Sequence, residues 1–544
     1  MLIPNGLIII LRRNFMFDML IKGGRIVDGS GQPGYISDIG INKEHVTAIG
    51  DLTDAEAARI IDAEGLIVAP GFIDIHTHSD LSHLADPRAE SQIRQGVTTE
   101  VIGQCGVSLA PCTDESRKGI FSRLGMPDGG TWNSYANLLE VMDGAGIATN
   151  VVGMVGHGAL RETVMGSNAP RTATEDEVAA MVKLLEKSLE EGAFGWTTGL
   201  EYHPGKMATY DELAALCRAV ANVGGFYATH ARNRDSRYFV GFGEGLDVAR
   251  ETGVRLQISH INPKYGCPEH TMRNTIQMIE WTREEGIDVA MDVMTTNWNH
   301  TSATAYLPAW SFSLSGSEFL ELLKTTEGRE RLKINPLPML KLAAEEKWDR
   351  IRLLDRPSGS QYLGMTVADI AKELKTSCWD AIFDLMLEEG EAYTGILLTG
   401  DAFAEEDIRL VLQSPHCAVV SDTMALANEG ILKGKQLGVM GYNWTANFIA
   451  HYLRDEQALS LEEGIRRITS LPASRIGLKD RGRLSPGTAA DVTIFDLNKV
   501  KDNSSFTDPT VYADGFEHVI VNGVTAFSQG KRTADRAGKV LRRQ

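Results

Sequence analysis

Between residues 67 and 422 the sequence carries eight short apolar runs, most of them separated by stretches with helical spacing. The first run ends at His76 and His78, and the others cover 98–106, 150–157, 193–200, 225–230, 254–260, 287–293 and 417–422. Helical patterns fall at 174–191, 210–223, 244–252 and 270–285. Parallel strands need crossover connections, and helices supply them. Eight strands joined in this way is the count of a (β/α)₈ barrel of the TIM type. A doubly wound open sheet is the alternative, but no glycine-rich phosphate loop follows the first strand.

The two ends of the chain read differently. Residues 19–29, 38–50 and 59–68 are short strands with glycine turns, too few to bury a core alone. Residues 482–496 and 519–527 repeat that character, and Asn522-Gly523 is a strong hairpin signal. We therefore expect a β-sandwich built from 17–68 and 482–544, with the barrel, 69–481, inserted between its halves. The interval between strands seven and eight, about 295–415, is too long for a bare loop and contains helical patterns of its own. It is expected to form a lid-like insertion on the catalytic face. Residues 1–16 read as a loose extension. Their apolar run, Leu7 to Leu11, is too short to span a membrane, and Arg12 and Arg13 follow it rather than precede it.

Bulk properties narrow the partners. The net charge of -18 repels nucleic acid and anionic membranes alike, so neither is an expected partner. The cysteines (Cys105, Cys112, Cys217, Cys267, Cys378 and Cys417) are scattered without a CxxC pair, which suits a reducing, cytoplasmic setting. A small-molecule substrate is expected, and self-association is left open.

His76 and His78 are two apart at the end of an apolar strand. Residues two apart on a strand face the same way, so the pair makes half of a divalent-metal site. In a barrel, functional residues gather at the C-terminal ends of the strands. There the sequence places Cys105 on strand two, His157 on three, His230 on five, His260 on six and Asp422 on eight. Each alone has an ordinary explanation, such as a buried small thiol or a helix cap. Their joint occurrence at matching positions argues for one centre. His45, His83, His203, His270, His300, His416, His451 and His518 fall outside the pattern and read as surface or packing residues.

The motifs PGFIDIHTHSD, GQCG, GHGALR, GLEYHPG, THARN, QISH, SDT and DRGRLSPGTAADVTIFD make the chain resemble the amidohydrolase superfamily. Within it, the likeness is to the N-acyl-D-amino-acid deacylase (D-aminoacylase) family, from about Met19 onward. The resemblance implies one or two zinc ions, with His76 and His78 on one metal position and His230 and His260 on the other. It implies that Cys105 bridges them or binds the tighter metal. The carboxylated lysine that many relatives carry on strand four is missing from AFGWTTGL, which fits the cysteine variant. On this reading, metal-activated hydroxide attacks an amide carbonyl. Asp422 serves as general base and then general acid, and His157 or Tyr202 helps hold the carbonyl oxygen.

The match departs from the family where the substrate carboxylate is gripped. The family's arginine after strand eight is replaced by Gly438 to Trp444, and its lysine after strand six is displaced to Lys264. Its tyrosine-rich stretch after strand seven is replaced by Met294 to Asn299. Arg232, Arg234 and Lys264 are the expected substitutes. A neutral amide, a cyclic amide or a carbamate is the alternative substrate. A deaminase is disfavoured because Asn233 stands where such enzymes carry a glutamate. A non-catalytic scaffold is disfavoured because no expected ligand is missing.

Overall fold

The computed structural model describes residues 16–123, 130–166, 171–234, 238–334, 341–359, 361–505 and 508–543. The extension expected at 1–16 therefore lies outside the described residues, apart from Met16. The chain opens with β1 (Met16–Ile26), β2 (Tyr35–Asn42), β3 (His45–Gly50), β4 (Glu56–Asp62) and β5 (Ile67–Pro70). Then come β6 (Phe72–Asp74), β7 (Val97–Ile102), β8 (Asn150–Gly153), β9 (Val155–Gly156), β10 (Gly195–Gly199), β11 (Phe226–His230), β12 (Arg255–Ile258) and β13 (Val289–Met294). A second group follows: β14 (Trp298–Ser302), β15 (Ile351–Asp355), β16 (Leu397–Asp401) and β17 (Cys417–Val420). The last strands are β18 (Val492–Phe495), β19 (Phe516–Val521), β20 (Val524–Ser528), β21 (Lys531–Arg532) and β22 (Val540–Leu541).

The two chain ends meet in one nine-stranded sheet, in the order β21-β20-β19-β18-β5-β1-β2-β3, with β4 on β1. The seam is β18 against β5, antiparallel, from Val492↔Pro70 to Phe495↔Ile67. Asn522 (φ 48°) and Gly523 (φ 78°) turn β19 into β20, because a two-residue hairpin loop needs two positive φ angles. The final strand leaves this sheet: β22 runs parallel to β8.

Between the ends, two parallel arcs carry the alternating strands. One is β17-β13-β12-β11-β10-β9, and the other is β22-β8-β7-β6. Only Met154 separates β8 from β9, and the bridge Thr77↔Thr423 joins the continuations of β6 and β17. β7, β8, β10, β11, β13 and β17 are buried at every position. This is the pattern of parallel strands covered on both faces, and it explains why they read as apolar runs without alternation. Helices such as Glu175–Glu190 and Tyr210–Asn222 lie between them, each opened by a threonine whose hydroxyl accepts an early backbone N–H.

The long interval between β13 and β17 folds into its own antiparallel sheet, β14-β16-β15, with helices at Gly316–Leu323, Thr326–Lys333, Val367–Leu374 and Cys378–Glu389. Among the described residues, no helix is long and apolar enough to cross a membrane.

Candidate metal centre

Each donor sits just past a strand end. His76 follows β6 by two residues, Cys105 follows β7 by three, His230 closes β11, and His260 and Asp422 follow β12 and β17 by two. Ligand atoms of His76, Cys105, His260 and Asp422 all lie within 4.8 Å of one another, and all four residues are buried. Cys105 Sγ is 3.2 Å from His76 Nε2, 3.3 Å from His260 Nε2 and 3.6 Å from His230 Nδ1. Asp422 Oδ1 is 3.3 Å from Nε2 of both His76 and His78. The structure therefore brings the five expected ligands and Asp422 to one place.

The backbone is strained at this point. Cys105 (φ 53°), His260 (φ 33°) and Asp422 (φ 50°) all adopt left-handed conformations that L-residues avoid. A strand leaving in the β region would carry the next side chains alternately up and down. The reversal at these residues turns each donor inward instead.

The electrostatics suit a divalent cation. Burial works to raise the Cys105 thiol, but His76 and His260 beside it hold it well below its usual range. Burial likewise opposes Asp422, yet His260, His300 and His76 hold its carboxyl well below the carboxylate range. The result is a thiolate and a carboxylate among imidazoles in a buried cluster, a donor set suited to zinc.

A layer of partners surrounds these donors. Glu201, just beyond β10, accepts from His230 Nε2 (2.7 Å) and Lys264 Nζ (2.6 Å) on Oε2, and from the Arg234 backbone N–H (2.7 Å) on Oε1. A carboxylate on Nε2 leaves Nδ1 of His230 as the free lone pair toward Cys105. Asp292 on β13 accepts the His260 N–H at 2.5 Å. Asp74 Oδ1 accepts from the backbone N–H groups of His76 (3.2 Å) and Ser421 (3.3 Å).

The remaining expected residues lie as follows. His157 opens the helix His157–Met165, fully buried, with Nε2 2.8 Å from Glu212 Oε1 and its ring edge-on to Trp196. Burial lowers its pKa against the pull of Glu212. The Tyr202 hydroxyl donates to the Cys105 carbonyl at 3.0 Å, and its ring packs against His230. Arg232 is held by Glu244 (3.0 Å) and by the carbonyls of Lys206 (2.6 Å) and Ala208 (3.0 Å). Lys264 is spent on Glu201. Of the histidines read as surface or packing residues, His83 is packed in the interior and His300 reaches the donor cluster. His83 is fully buried 3.1 Å from Glu100, and His300 projects from β14 to within 3.7 Å of Asp422 Oδ2. Glu201, Asp292 and His300 are the neighbours of the donors that sequence reasoning missed. Only Glu201 had a visible cue, its place inside GLEYHPG.

Comparison with known proteins gives the family. The model of the amidohydrolase family matches residues 59–311 and 433–527. D-Aminoacylase of Alcaligenes xylosoxydans xylosoxydans is 31% identical over 533 residues, covering 97% of this chain and 98% of the relative. The N-acyl-D-glutamate deacylase of the same organism is 30% identical, covering 97% and 96%. Among solved structures, N-acyl-D-glutamate deacylase from Bordetella bronchiseptica, complexed with zinc and a phosphonate inhibitor, superposes with a TM-score of 0.79 at 29% identity, covering 97% of this chain and 100% of that one.

Proposed function

The chain belongs to the amidohydrolase family, hydrolases of carbon–nitrogen bonds, and on that footing we propose that it is a zinc-dependent deacylase of N-acyl-D-amino acids or closely related amides. The observation that carries this reading is Cys105 Sγ set among His76, His260 and His230 at 3.2, 3.3 and 3.6 Å. We read the two parallel arcs as one eight-stranded barrel, the end sheet as its β-sandwich companion, and the inserted sheet as a lid over the strand ends. All six cysteines are free, which supports a reducing, cytoplasmic setting.

Cys105, His230 and His260 would hold a first ion, with Cys105 shared toward His76 and His78 if a second binds. When bound, zinc supplies a Lewis acid that polarises the scissile carbonyl and lowers the pKa of water to about 7. Asp422 accepts the proton of the attacking water and passes it to the leaving nitrogen, so the amine departs neutral. Its buried carboxylate is ionised and faces the donor cluster, as that role requires. Glu201 fixes the tautomer of His230. His157 and Tyr202 buttress the strand ends from behind, through Glu212 and the Cys105 carbonyl.

A second reading has its own support. Arg232, Arg234 and Lys264, the cations expected to grip a substrate carboxylate, are engaged by Glu244, by His260 and by Glu201. Drawing Arg234 or Lys264 to a substrate leaves a buried group, His260 or Glu201, unpaired, at about 1–3 kcal/mol or more. That favours a neutral amide, a cyclic amide or a carbamate on the same centre. The test is turnover by zinc-supplied protein on N-acyl-D- and N-acyl-L-amino acids, neutral amides, cyclic imides and carbamates. Selective hydrolysis of the D-series supports the deacylase. Hydrolysis confined to uncharged substrates supports the second reading, and release of ammonia alone would refute both.

A further inference from the structure

Strand β14 reaches the metal centre from the inserted sheet. Residues two apart share a face, so Trp298 and His300 point the same way. The register sets Thr399 opposite His300 and Arg352 opposite Thr399, so these side chains stand on one wall. Trp298, Thr399 and Arg352 line a hollow of about 370 Å³, whose far side includes Val439 and Met440 from the segment after β17. His300 continues that wall to the donors, with its side chain 10% exposed and Nε2 3.7 Å from Asp422 Oδ2. The other oxygen, Oδ1, faces His76 and His78. Behind the imidazole stands Gly438, where a Cβ would lie 2.8 Å from His300 Nδ1.

We propose that His300 is a positioning residue for Asp422, brought to it by the inserted sheet. This rests on the reading of Asp422 as the proton carrier. A carboxylate that must accept a proton and then hand it on in a different direction loses rate if it rotates freely. His300 Nε2 faces Oδ2 and can donate its N–H to it. At 3.7 Å this contact is longer than a hydrogen bond, as catalytic contacts often are before substrate expels water and closes them. With Oδ2 held, Oδ1 remains the oxygen that exchanges the proton on the donor side. His300 itself gains and loses no proton in the cycle. Because the hollow and His300 share one wall, a substrate group filling the hollow presses on the strand that carries the imidazole. Gly438 leaves the space the ring occupies.

The test compares zinc-loaded wild type with His300→Phe, which keeps a ring without the donor, His300→Gln, which keeps a donor, and Gly438→Ala, which displaces an unaltered His300. The readouts are kcat and KM on the best substrate of the panel, bound zinc, and the orientation of Asp422 in crystals of His300→Phe. We expect His300→Phe to lower kcat about 10- to 100-fold, with zinc content unchanged and Asp422 turned from its native orientation. KM should stay within about twofold, because ground-state binding is untouched. His300→Gln should recover most of the loss, and Gly438→Ala should reproduce part of it. Unchanged kcat in His300→Phe, equal loss in Phe and Gln, loss of zinc, or a native Asp422 orientation would each overturn the proposal. Full activity in Asp422→Asn would instead overturn the reading on which it rests.

Discussion

Arg234 Nη1 lies 2.8 Å from His260 Nδ1 and 2.5 Å from the carbonyl oxygen of the same residue. A guanidinium only donates, so Nδ1 must accept, and a neutral ring then carries its proton on Nε2, the atom aimed at Cys105. Burial and Arg234 together push His260 down to about 3. Arg234 thus competes with any cation for the same imidazole. Arg234→Met should tighten zinc binding by roughly tenfold, in the range typical of groups that back a metal ligand. Competition with a chromogenic chelator measures it, and weaker binding in the variant would refute the idea.

Glu201 acts in the opposite sense. Its 2.7 Å contact with His230 Nε2 frees Nδ1, and the carboxylate is held ionised, against its burial, by Lys264, His230 and Arg234. Glu201→Gln should weaken zinc binding about 10- to 100-fold. Lys264→Met leaves the carboxylate in place and should weaken it less. Chelator competition on both variants decides the order.

Asp422→Asn keeps the side-chain shape but not the base. Zinc content should stay near the wild-type value, while kcat falls by about 10² to 10⁴, the usual worth of general acid–base catalysis. Activity within a few-fold of wild type would remove Asp422 from the reaction.

Gly199 closes β10 against the centre. A Cβ there would sit 2.2 Å from the Cys105 carbonyl oxygen and 2.4 Å from the Tyr202 ring. Gly199→Ala should cost about 1–3 kcal/mol by overpacking and displace the loop that carries Cys105. A lowered denaturation midpoint together with weaker zinc retention is the expected pair of results.

Away from the centre, His416 precedes β17 among arginines. Burial first, then Arg283, Arg466, Arg467 and Arg475, push it from 6.5 down to about 4. Between those values the unfolded chain binds the proton and the folded one does not, so stability present above pH 6.5 is lost as pH falls through about 4. His416→Gln cannot take up that proton. Its melting temperature should decline less steeply than wild type across the window, and parallel curves would dismiss the effect.

The strand ends were legible because two signals coincide there: an unbroken apolar run and a metal-affine residue closing it, as in 254–260 and 417–422. The orientation of charged side chains was not legible. Lys264 and Glu201 lie 63 residues apart, and nothing in either segment announces that one neutralises the other. Arg232 sits in THARN beside the strand-five histidine, yet its fork turns away to Glu244 and two carbonyls. His300 read as a surface or packing residue because its place depends on β14 pairing with β16, strands about a hundred residues apart. Local pattern finds the ends of elements; which groups face one another across them is a property of the whole packing.

The left-handed backbone at Cys105, His260 and Asp422 also bears on how such a chain would decay. Each position costs about 1–3 kcal/mol that glycine or asparagine would largely avoid. A lineage kept only for its fold would gain stability by exchanging these residues first, and the parallel sheets would survive the change. Loss of side-chain donors at these three sites, with the rest of the sequence intact, is therefore how a descendant that has given up catalysis would be recognised.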